Sequence, residues 1–331
     1  MSSLASRGRR RNSKRTTALR EGLRGINQRF PKDVSVWLAS ADYVPDYGLA
    51  TLVWMADALG RPMLLEGEAG VGKTAIAQAL SRALDRPLFR LQCHESLDLN
   101  QAVYEWNYSK QLLEIRLREA EKEIGAGLRE DLFSEAFLLK RPLMQAITSE
   151  KPAVLLIDEI DRADESFEAY LLEVLGEYQI SVPEFGTVKA TTQPIVVLTS
   201  NGTRDLSDAL RRRCLYHYVD YPTLPREIEI VKKMVPEASH LLVQQAVGFV
   251  QKLRKQDLEK VHGVAETLDW VRALCAMGQE VVPDDPDMIR ACLSSLLKTR
   301  SDQWQMDSEI ISKLLSESRV GMDVGVAGEL R

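Results

Sequence analysis

The sequence Gly67-Glu68-Ala69-Gly70-Val71-Gly72-Lys73-Thr74 decides the fold of this chain. The apolar, strand-like segment 62–66 precedes it, and the helical pattern of residues 75–80 follows it. Strand, glycine-rich loop and helix in this order form the setting in which G-x-x-x-x-G-K-[ST] binds a nucleoside triphosphate. We expect the backbone N–H groups of residues 67–74 to surround the phosphates. Lys73 would reach the β and γ phosphates, and the Thr74 hydroxyl would ligate Mg²⁺.

A second motif indicates that the triphosphate is also hydrolysed. Residues 154–157 form a continuous apolar run, as in a strand that is buried on both faces of a parallel sheet. The run ends in Asp158 and Glu159, at the sheet edge where open α/β sheets bind their ligands. Asp158 would hold Mg²⁺ through its water shell, and Glu159 would polarise the attacking water. The motif order predicts a P-loop ATPase core in an α/β fold, with a parallel sheet flanked by helices.

Two polar sites follow later in the chain. Asn201 ends the apolar strand 195–200, where its amide would orient the attacking water or touch the γ-phosphate; the alternative is an ordinary Asn-Gly turn. Arg211–Arg213 close a helix, where one or two cations would merely complement the helix dipole. Three exceed that need, so we predict that Arg213, with Arg212 in reserve, reaches a neighbouring subunit's γ-phosphate.

Composition limits the class of protein. The chain has 331 residues, a net charge of −5, 45% hydrophobic and 27% charged residues, as in ordinary globular proteins. Its apolar runs are far shorter than the roughly 18 residues of a membrane span, and no signal-peptide pattern is present. Four cysteines without a C-x-x-C pair argue against zinc and disulfides, which favours a reduced, cytoplasmic protein. The net charge gives no general attraction to nucleic acid.

The periodicity predicts four regions. They are a basic arm at 1–32, an α/β nucleotide-binding domain at 33–222, a smaller all-α lid domain at 223–300 and a C-terminal tail at 301–331. Within the second region, residues 132–147 continue a helical pattern, and 178–182 with 187–190 predict a hairpin. The basic block at 7–15 is typical of a disordered arm, but it would also suit a contact with phosphates or a wrongly assigned start codon.

The order of the motifs resembles that of AAA+ ATPases of the MoxR branch. Residues 67–74 match Walker A, 154–159 Walker B, Asn201 sensor 1 and 211–213 the arginine block. The hairpin resembles the insertion before sensor 1, and 94–139 resembles the helix-2 insertion. Within this branch, the stretches 91–116, 156–175 and 211–222 are similar to the CoxD group, which serves maturation of aerobic carbon monoxide dehydrogenase.

The resemblance implies a partner set and one departure. It implies a homo-oligomer, a hexameric ring, that works with a von Willebrand factor A domain protein on a metalloenzyme client, here a molybdenum hydroxylase. The family usually carries a sensor 2 arginine where this chain has Thr267, and Arg272 lies more than one helical turn away. The rival functions are a motor or loader acting on nucleic acid and a scaffold that does not hydrolyse the nucleotide. The single cation of the hairpin argues against the first, and Glu159 with Arg213 argues against the second.

Overall fold

The computed structural model describes residues 31–121 and 131–320. They divide into two compact units. The first unit comprises 31–41, Pro45–Glu66 and Thr74–Tyr218, and the second comprises Asp42–Val44, Gly67–Lys73 and 219–320. The predicted basic arm lies outside the described residues except for its last two, so it stays a prediction. No helix in the described ranges is both long and apolar enough to cross a membrane.

Nine strands lie in the described residues of the first unit. They are β1 (Met63–Glu66), β2 (Leu88–Gln92), β3 (Tyr104–Trp106), β4 (Leu138–Lys140), β5 (Val154–Asp158), β6 (Gln179–Val182), β7 (Gly186–Lys189), β8 (Ile195–Ser200) and β9 (Leu215–Tyr218). Five of them form a parallel sheet in the order β2-β5-β8-β1-β9. Every residue of β5 and β8 is buried, because both strands are apolar and lie inside the sheet. The predicted parallel α/β fold is confirmed.

The helices of the first unit connect and flank these strands. They are α1 (Pro31–Ser40), α2 (Tyr47–Leu59), α3 (Lys73–Leu84, whose first residue belongs to the second unit), α4 (Leu99–Ala102), α5 (Tyr108–Glu121), α6 (Pro142–Thr148), α7 (Glu165–Glu177) and α8 (Asp208–Arg213). Their ends follow local rules. Asp46 accepts a hydrogen bond from the Leu49 N–H and begins α2, and Gly60 ends α2 in the left-handed conformation.

Two antiparallel pairs extend the first unit. β6 and β7 form the hairpin that the sequence predicts. The single helix predicted over 132–147 is wrong: a 3₁₀ turn, strand β4 and the short helix α6 occupy these residues. β4 pairs with β3, and Trp106 packs against Phe133 with ring centroids 5.1 Å apart. Pro142 starts α6, since proline fits the first helical turn but not a helix interior.

The second unit is helical after residue 219. Its helices are α9 (Leu224–Met234), α10 (His240–Leu253), α11 (Val264–Ala276), α12 (Pro286–Cys292), α13 (Arg300–Gln305) and α14 (Ser308–Val320). Phe249 and Trp270 lie at the centre of its apolar core, with ring centroids 5.2 Å apart. Residues 301–320, which the sequence predicts to belong to a C-terminal tail, pack into this core instead. Ile311 and Leu314 recur at helical spacing and are buried in it. The predicted boundary near residue 222 stays a prediction.

Candidate functional site

The carboxylate of Asp158 is the centre of the site in the first unit. Parallel strands bring their carboxyl ends to one edge of the sheet, and Asp158 ends β5 at that edge. Its Oδ1 accepts hydrogen bonds from the Thr74 hydroxyl at 3.0 Å and from the Thr199 hydroxyl at 2.5 Å. Its Oδ2 accepts one from Arg90 Nη2 at 2.6 Å. The two residues predicted as metal ligands, Thr74 and Asp158, are therefore in direct contact.

Glu159 follows in an uncommon backbone conformation. Its φ is 55°, in the left-handed region that few residues other than glycine adopt. Its N–H donates to the Thr199 hydroxyl at 2.9 Å, which anchors this turn to β8. Its Oε2 accepts a hydrogen bond from Gln92 Nε2 at 3.0 Å and forms an ion pair with Arg162 Nε at 3.0 Å. The carboxylate predicted to polarise water is thus held by two donors.

Asn201 lies beside a second buried carboxylate, that of Asp161. Asp161 Oδ2 accepts the N–H groups of Asn201 at 3.2 Å and of Thr203 at 3.0 Å, and the Thr203 hydroxyl at 2.6 Å. Burial alone would raise the pKa of Asp161, but these hydrogen bonds outweigh it and hold the pKa below its usual value. Asp161 therefore fixes the turn in which Asn201 follows β8. The role of the Asn201 side chain stays a prediction.

The arginine block divides into separate environments. Arg211 Nη2 lies 3.3 Å from Glu66 Oε2, so its charge is used within the subunit. Arg61 donates hydrogen bonds to the backbone carbonyls of Arg212, Arg213 and Cys214. These carbonyls at the carboxyl end of α8 thereby gain hydrogen-bond partners.

The side chain of Arg213 is exposed and lies against α7. Its Nη1 lies 1.9 Å from where a Cβ would stand at Gly176, so the guanidinium occupies space that any other residue at 176 would fill. The structure therefore separates Arg211, which has an acidic partner, from Arg212 and Arg213, whose side chains are exposed. A trans role for Arg213 stays a prediction.

The glycine-rich loop 67–73 is described within the second unit. Lys73 is buried, and its Nζ donates to the carbonyls of Gly67 at 2.6 Å and Glu68 at 2.7 Å. The chain of the loop also approaches the start of α11. Val264 N–H donates to the Gly70 carbonyl at 2.9 Å, and a Cβ at Gly263 would lie 2.6 Å from Gly70 Cα, so only glycine fits there.

Thr267, at the position where the sensor 2 arginine is expected, is fully buried. Its hydroxyl donates to Glu227 Oε1 at 2.9 Å and also lies 3.2 Å from the Gly263 carbonyl. Arg272 is exposed and pairs with Asp269 at 3.3 Å, one turn away on the same helix. Neither residue thus presents a free cation in place of the missing arginine.

Sequence reasoning missed Arg90, Gln92 and Thr199. A signal was present: Arg90 and Gln92 are two residues apart, so they lie on one face of β2, and Gln92 is in register with Asp158 on β5. That signal depends on the strand order, which the motifs alone do not give.

The donor set at Thr74 and Asp158 fits Mg²⁺. A hydroxyl and a carboxylate oxygen are the hard ligands this ion prefers, and it commonly binds few protein groups while it keeps several waters. No cluster of three histidine, cysteine or acidic side chains that could hold a metal occurs in the described ranges. All four cysteines are free thiols, and burial, followed by repulsion from Asp158, raises the pKa of Cys93 to about 12.

Parts of this chain are similar to known proteins. Residues 62–214 match the family of AAA domains (dynein-related subfamily). The gas vesicle ATPase GvpN1 of Halobacterium salinarum is 27% identical over 60% of this chain, and the match spans 58% of its own length. Uncharacterised proteins of several Staphylococcus aureus strains are 26% identical over 74% of this chain and 88% of theirs. The Holliday junction branch migration motor RuvB of Thermotoga maritima has 16% identity and a TM-score of 0.43, over 75% of this chain and 66% of that one.

The match begins just before β1, ends just after α8, and so includes the glycine-rich loop, Asp158, Glu159 and Asn201. Residues 62–214 are thus similar to AAA domains, and the parallel sheet flanked by helices is the P-loop fold of that family.

Proposed function

We propose that the chain hydrolyses ATP with Mg²⁺, and that residues Gly67–Thr74 hold the triphosphate. The observation that carries this proposal is the shared Oδ1 of Asp158, which accepts the hydroxyls of Thr74 and Thr199. Thr74 and Asp158 would hold Mg²⁺, which supplies charge neutralisation on the phosphate oxygens when bound. Lys73, now held by two loop carbonyls, would donate to the β and γ phosphates.

The remaining steps use the chain's own side chains. Glu159 would take the proton of the attacking water, and Asn201 would orient that water or touch the γ-phosphate. The backbone of Glu159 is anchored to Thr199, which in turn contacts Asp158. The two acidic residues are therefore positioned through one hydroxyl, and a change at Thr199 would reach both.

Two variants test this assignment. Lys73→Ala should lose detectable ATP binding, because it removes the lysine aimed at the β and γ phosphates. Glu159→Gln should bind ATP normally and hydrolyse it about 10²–10⁴-fold more slowly, since an amide cannot accept the water's proton. The exposed Lys151, in the loop before β5 and so at the opposite end of that strand from Asp158, gives a matched control as Lys151→Ala. Normal ATP affinity of Lys73→Ala, or wild-type hydrolysis by Glu159→Gln, would refute the corresponding role.

We also propose that hydrolysis takes place in a homo-oligomeric ring, a hexamer by resemblance, with Arg213 acting on the neighbouring nucleotide. The exposed guanidinium of Arg213 at the end of α8 supports this. Arg213→Ala should bind ATP nearly normally and lose about 10³-fold in hydrolysis, the scale of arginine fingers. Mixing it with Glu159→Gln should restore activity, because some interfaces then combine an intact glutamate with an intact arginine. Mixed rings that never complement would contradict the trans role.

For the cellular role, we propose ATP-driven remodelling or maturation of a metalloenzyme of the molybdenum hydroxylase type, together with a von Willebrand factor A domain protein. Its support is the resemblance to CoxD in residues 91–116, 156–175 and 211–222, and the helical insertion that α5 occupies. The test is coexpression with such a client and partner. Metal content and activity of the client should rise with the wild-type chain and stay at background with Glu159→Gln. Equal metal content in both would exclude this role.

A nucleic-acid motor is the second candidate, favoured by the basic block at residues 7–15. Those residues lie outside the described part of the chain. Against this candidate, the hairpin β6–β7 carries one cation, Lys189, and exposes Glu184 and Phe185. If the chain binds DNA, binding should fall steeply with salt and disappear when residues 1–30 are deleted, with ATP hydrolysis unchanged.

A further inference from the structure

Arg90 stands between the two functional carboxylates of the first unit. One nitrogen, Nη2, donates to Asp158 Oδ2 at 2.6 Å and to Gln92 Oε1 at 2.7 Å. The amide nitrogen of Gln92 in turn donates to Glu159 Oε2 at 3.0 Å. Three hydrogen bonds therefore form a continuous path from Asp158 through Arg90 and Gln92 to Glu159.

Both neighbours of Gln92 fix the direction of the hydrogen bonds in this path. A guanidinium only donates and a carboxylate only accepts, so the Gln92 oxygen must face Arg90 and the Gln92 NH₂ must face Glu159. Without Arg90, the oxygen of the Gln92 amide would lose this donor, and the amide would keep only its hydrogen bond to Glu159. Arg90 thus anchors the amide that donates to Glu159.

The same guanidinium neutralises charge at Asp158. Asp158 is 5% exposed, whereas the side chain of Arg90 is 51% exposed. A carboxylate that is paired with a guanidinium attracts a further cation less strongly than an unpaired one. Because Arg90 is half in solvent, it can move away from Asp158 without leaving a buried cation.

We propose that Arg90 is a positioning residue that links the metal-binding carboxylate Asp158 to the catalytic carboxylate Glu159 through Gln92. The inference rests on the roles proposed above for those two carboxylates. With a bivalent cation bound, Asp158 would hold Arg90 less strongly, and the change would reach Glu159 through the Gln92 amide. Arg90 itself contacts neither the phosphates nor the attacking water.

The first readout is nucleotide binding, measured with N-methylanthraniloyl-ATP as a fluorescent probe at increasing Mg²⁺. Arg90→Met should lower the Mg²⁺ concentration for half-maximal enhancement of binding about fivefold, the scale of a partly exposed ion pair. Arg90→Lys keeps the charge and should restore the wild-type midpoint. Gln92→Met leaves the Asp158 ion pair intact and should not move it.

The second readout is steady-state hydrolysis. Arg90→Met and Gln92→Met should both lower kcat about tenfold with KM for ATP within about twofold, since the first removes the anchor of the Gln92 amide and the second removes the donor to Glu159. Arg116→Met, the same exchange at an exposed arginine of α5, serves as the control and should leave both constants unchanged. Thermal unfolding of each variant within about 2 °C of wild type shows that the effects are not losses of folded protein.

Three results would overturn the proposal. Weaker binding of ATP but not of ADP by Arg90→Met would show that Arg90 contacts the γ-phosphate directly. An unchanged kcat in Arg90→Met or Gln92→Met would remove the link to Glu159, and an unchanged Mg²⁺ midpoint in Arg90→Met would remove the link to Asp158. Failure of the proposed function is distinguishable, because it would appear as wild-type hydrolysis by Glu159→Gln, whatever Arg90 does.

Discussion

Two buried carboxylates, one in each unit, have nearly the same chemical partners and different surroundings. Asp158 of the first unit accepts hydrogen bonds from Arg90 and two threonine hydroxyls. Glu227 of the second unit accepts them from Arg254 through two nitrogens, at 2.9 and 3.0 Å, from Gln251 at 2.5 Å and from the Thr267 hydroxyl. The partner lists alone would not show which of the two takes part in chemistry.

Exposure of the arginine separates them. The side chains of Arg254 and Glu227 are 7% and 0% exposed, and Arg254 also lies over the Tyr221 ring at 4.7 Å. Arg90 is half exposed. An arginine that is buried with its carboxylate cannot move away without leaving a buried, uncompensated charge. The Glu227 cluster is therefore a rigid connection between α9, α10 and α11. In the Asp158 cluster, the arginine Arg90 is half exposed and can be solvated by water when it leaves the carboxylate. This suits a site that must admit a metal and a nucleotide.

The largest effect on stability is expected for the Glu227 cluster. Arg254→Met leaves the Glu227 carboxylate buried and uncompensated, which should lower the free energy of unfolding by about 3–5 kcal/mol. Urea denaturation followed by circular dichroism measures it. The double variant with Glu227→Leu should recover much of the loss, because it removes the unpaired charge as well. Arg254→Met as stable as wild type would break the comparison, since Glu227 would then be no more fixed than Asp158.

The reciprocal change is Asp158→Asn in the first unit. It should slow ATP hydrolysis roughly 10²-fold, the scale at which groups that orient a metal's ligands act, and should raise the Mg²⁺ requirement. The folded protein should keep its circular dichroism spectrum, because the half-exposed Arg90 is solvated once it loses its partner. Steady-state hydrolysis at several Mg²⁺ concentrations measures this. Wild-type kinetics would mean that Asp158, like Glu227, is only structural.

The third prediction concerns pH and His262, which lies beside the Glu227 cluster. Burial, followed by repulsion from Arg254, lowers the pKa of His262 to about 4, against opposing contributions from its hydrogen bond to the Val250 carbonyl and from Glu227 and Glu266. The unfolded chain, with a histidine pKa of about 6.5, takes up the proton more readily. The contribution of His262 to the free energy of unfolding is therefore fully present above a pH of about 6.5. It declines as the pH falls towards 4, by roughly 2 kcal/mol at pH 5.

Urea midpoints between pH 7.5 and 5 measure that decline, with His262→Gln as the matched variant. Glutamine retains a donor for the Val250 carbonyl and does not titrate, so its pH dependence should be shallower. Identical pH profiles for the two proteins would show that other groups cause the loss of stability. In the first unit, Asp161 is the opposite kind of group, a carboxylate whose pKa is held below its usual value by hydrogen bonds in spite of its burial.

Much of the first unit could be predicted because its signals are local. The glycine spacing at 67–74 and the apolar runs of β5 and β8 lie in consecutive residues, so they indicate loop, strand and sheet edge before any contact is known. The β3–β4 pair could not be predicted in this way. It joins Trp106 to Leu138 across a long stretch of chain, and tertiary packing there overrides the helical pattern of residues 132–147.

The second unit resisted prediction for a related reason. Glu227 and Thr267 lie on α9 and α11, Arg254 directly follows α10, and each alone is consistent with an ordinary surface residue. Only the packing of α9, α10 and α11 shows that they are buried together. The same applies to Arg90, whose role depends on β2 lying next to β5.

The smallest effect on stability is expected for Thr267. It stands where the family that the sequence resembles usually carries the sensor 2 arginine. Thr267→Val keeps the shape and removes one donor to Glu227, which still has Arg254 and Gln251, so we expect a loss of about 1 kcal/mol in unfolding free energy. Arg272→Ala, on the exposed side of the same helix, is the control and should change stability by less than about 0.5 kcal/mol. Hydrolysis by both variants should stay within about twofold of wild type, because neither side chain is proposed to contact the nucleotide. A loss of tenfold or more in hydrolysis by Thr267→Val, with stability nearly intact, would show that the second unit takes part in catalysis through this residue, and the contrast between a fixed and an open carboxylate cluster would no longer hold.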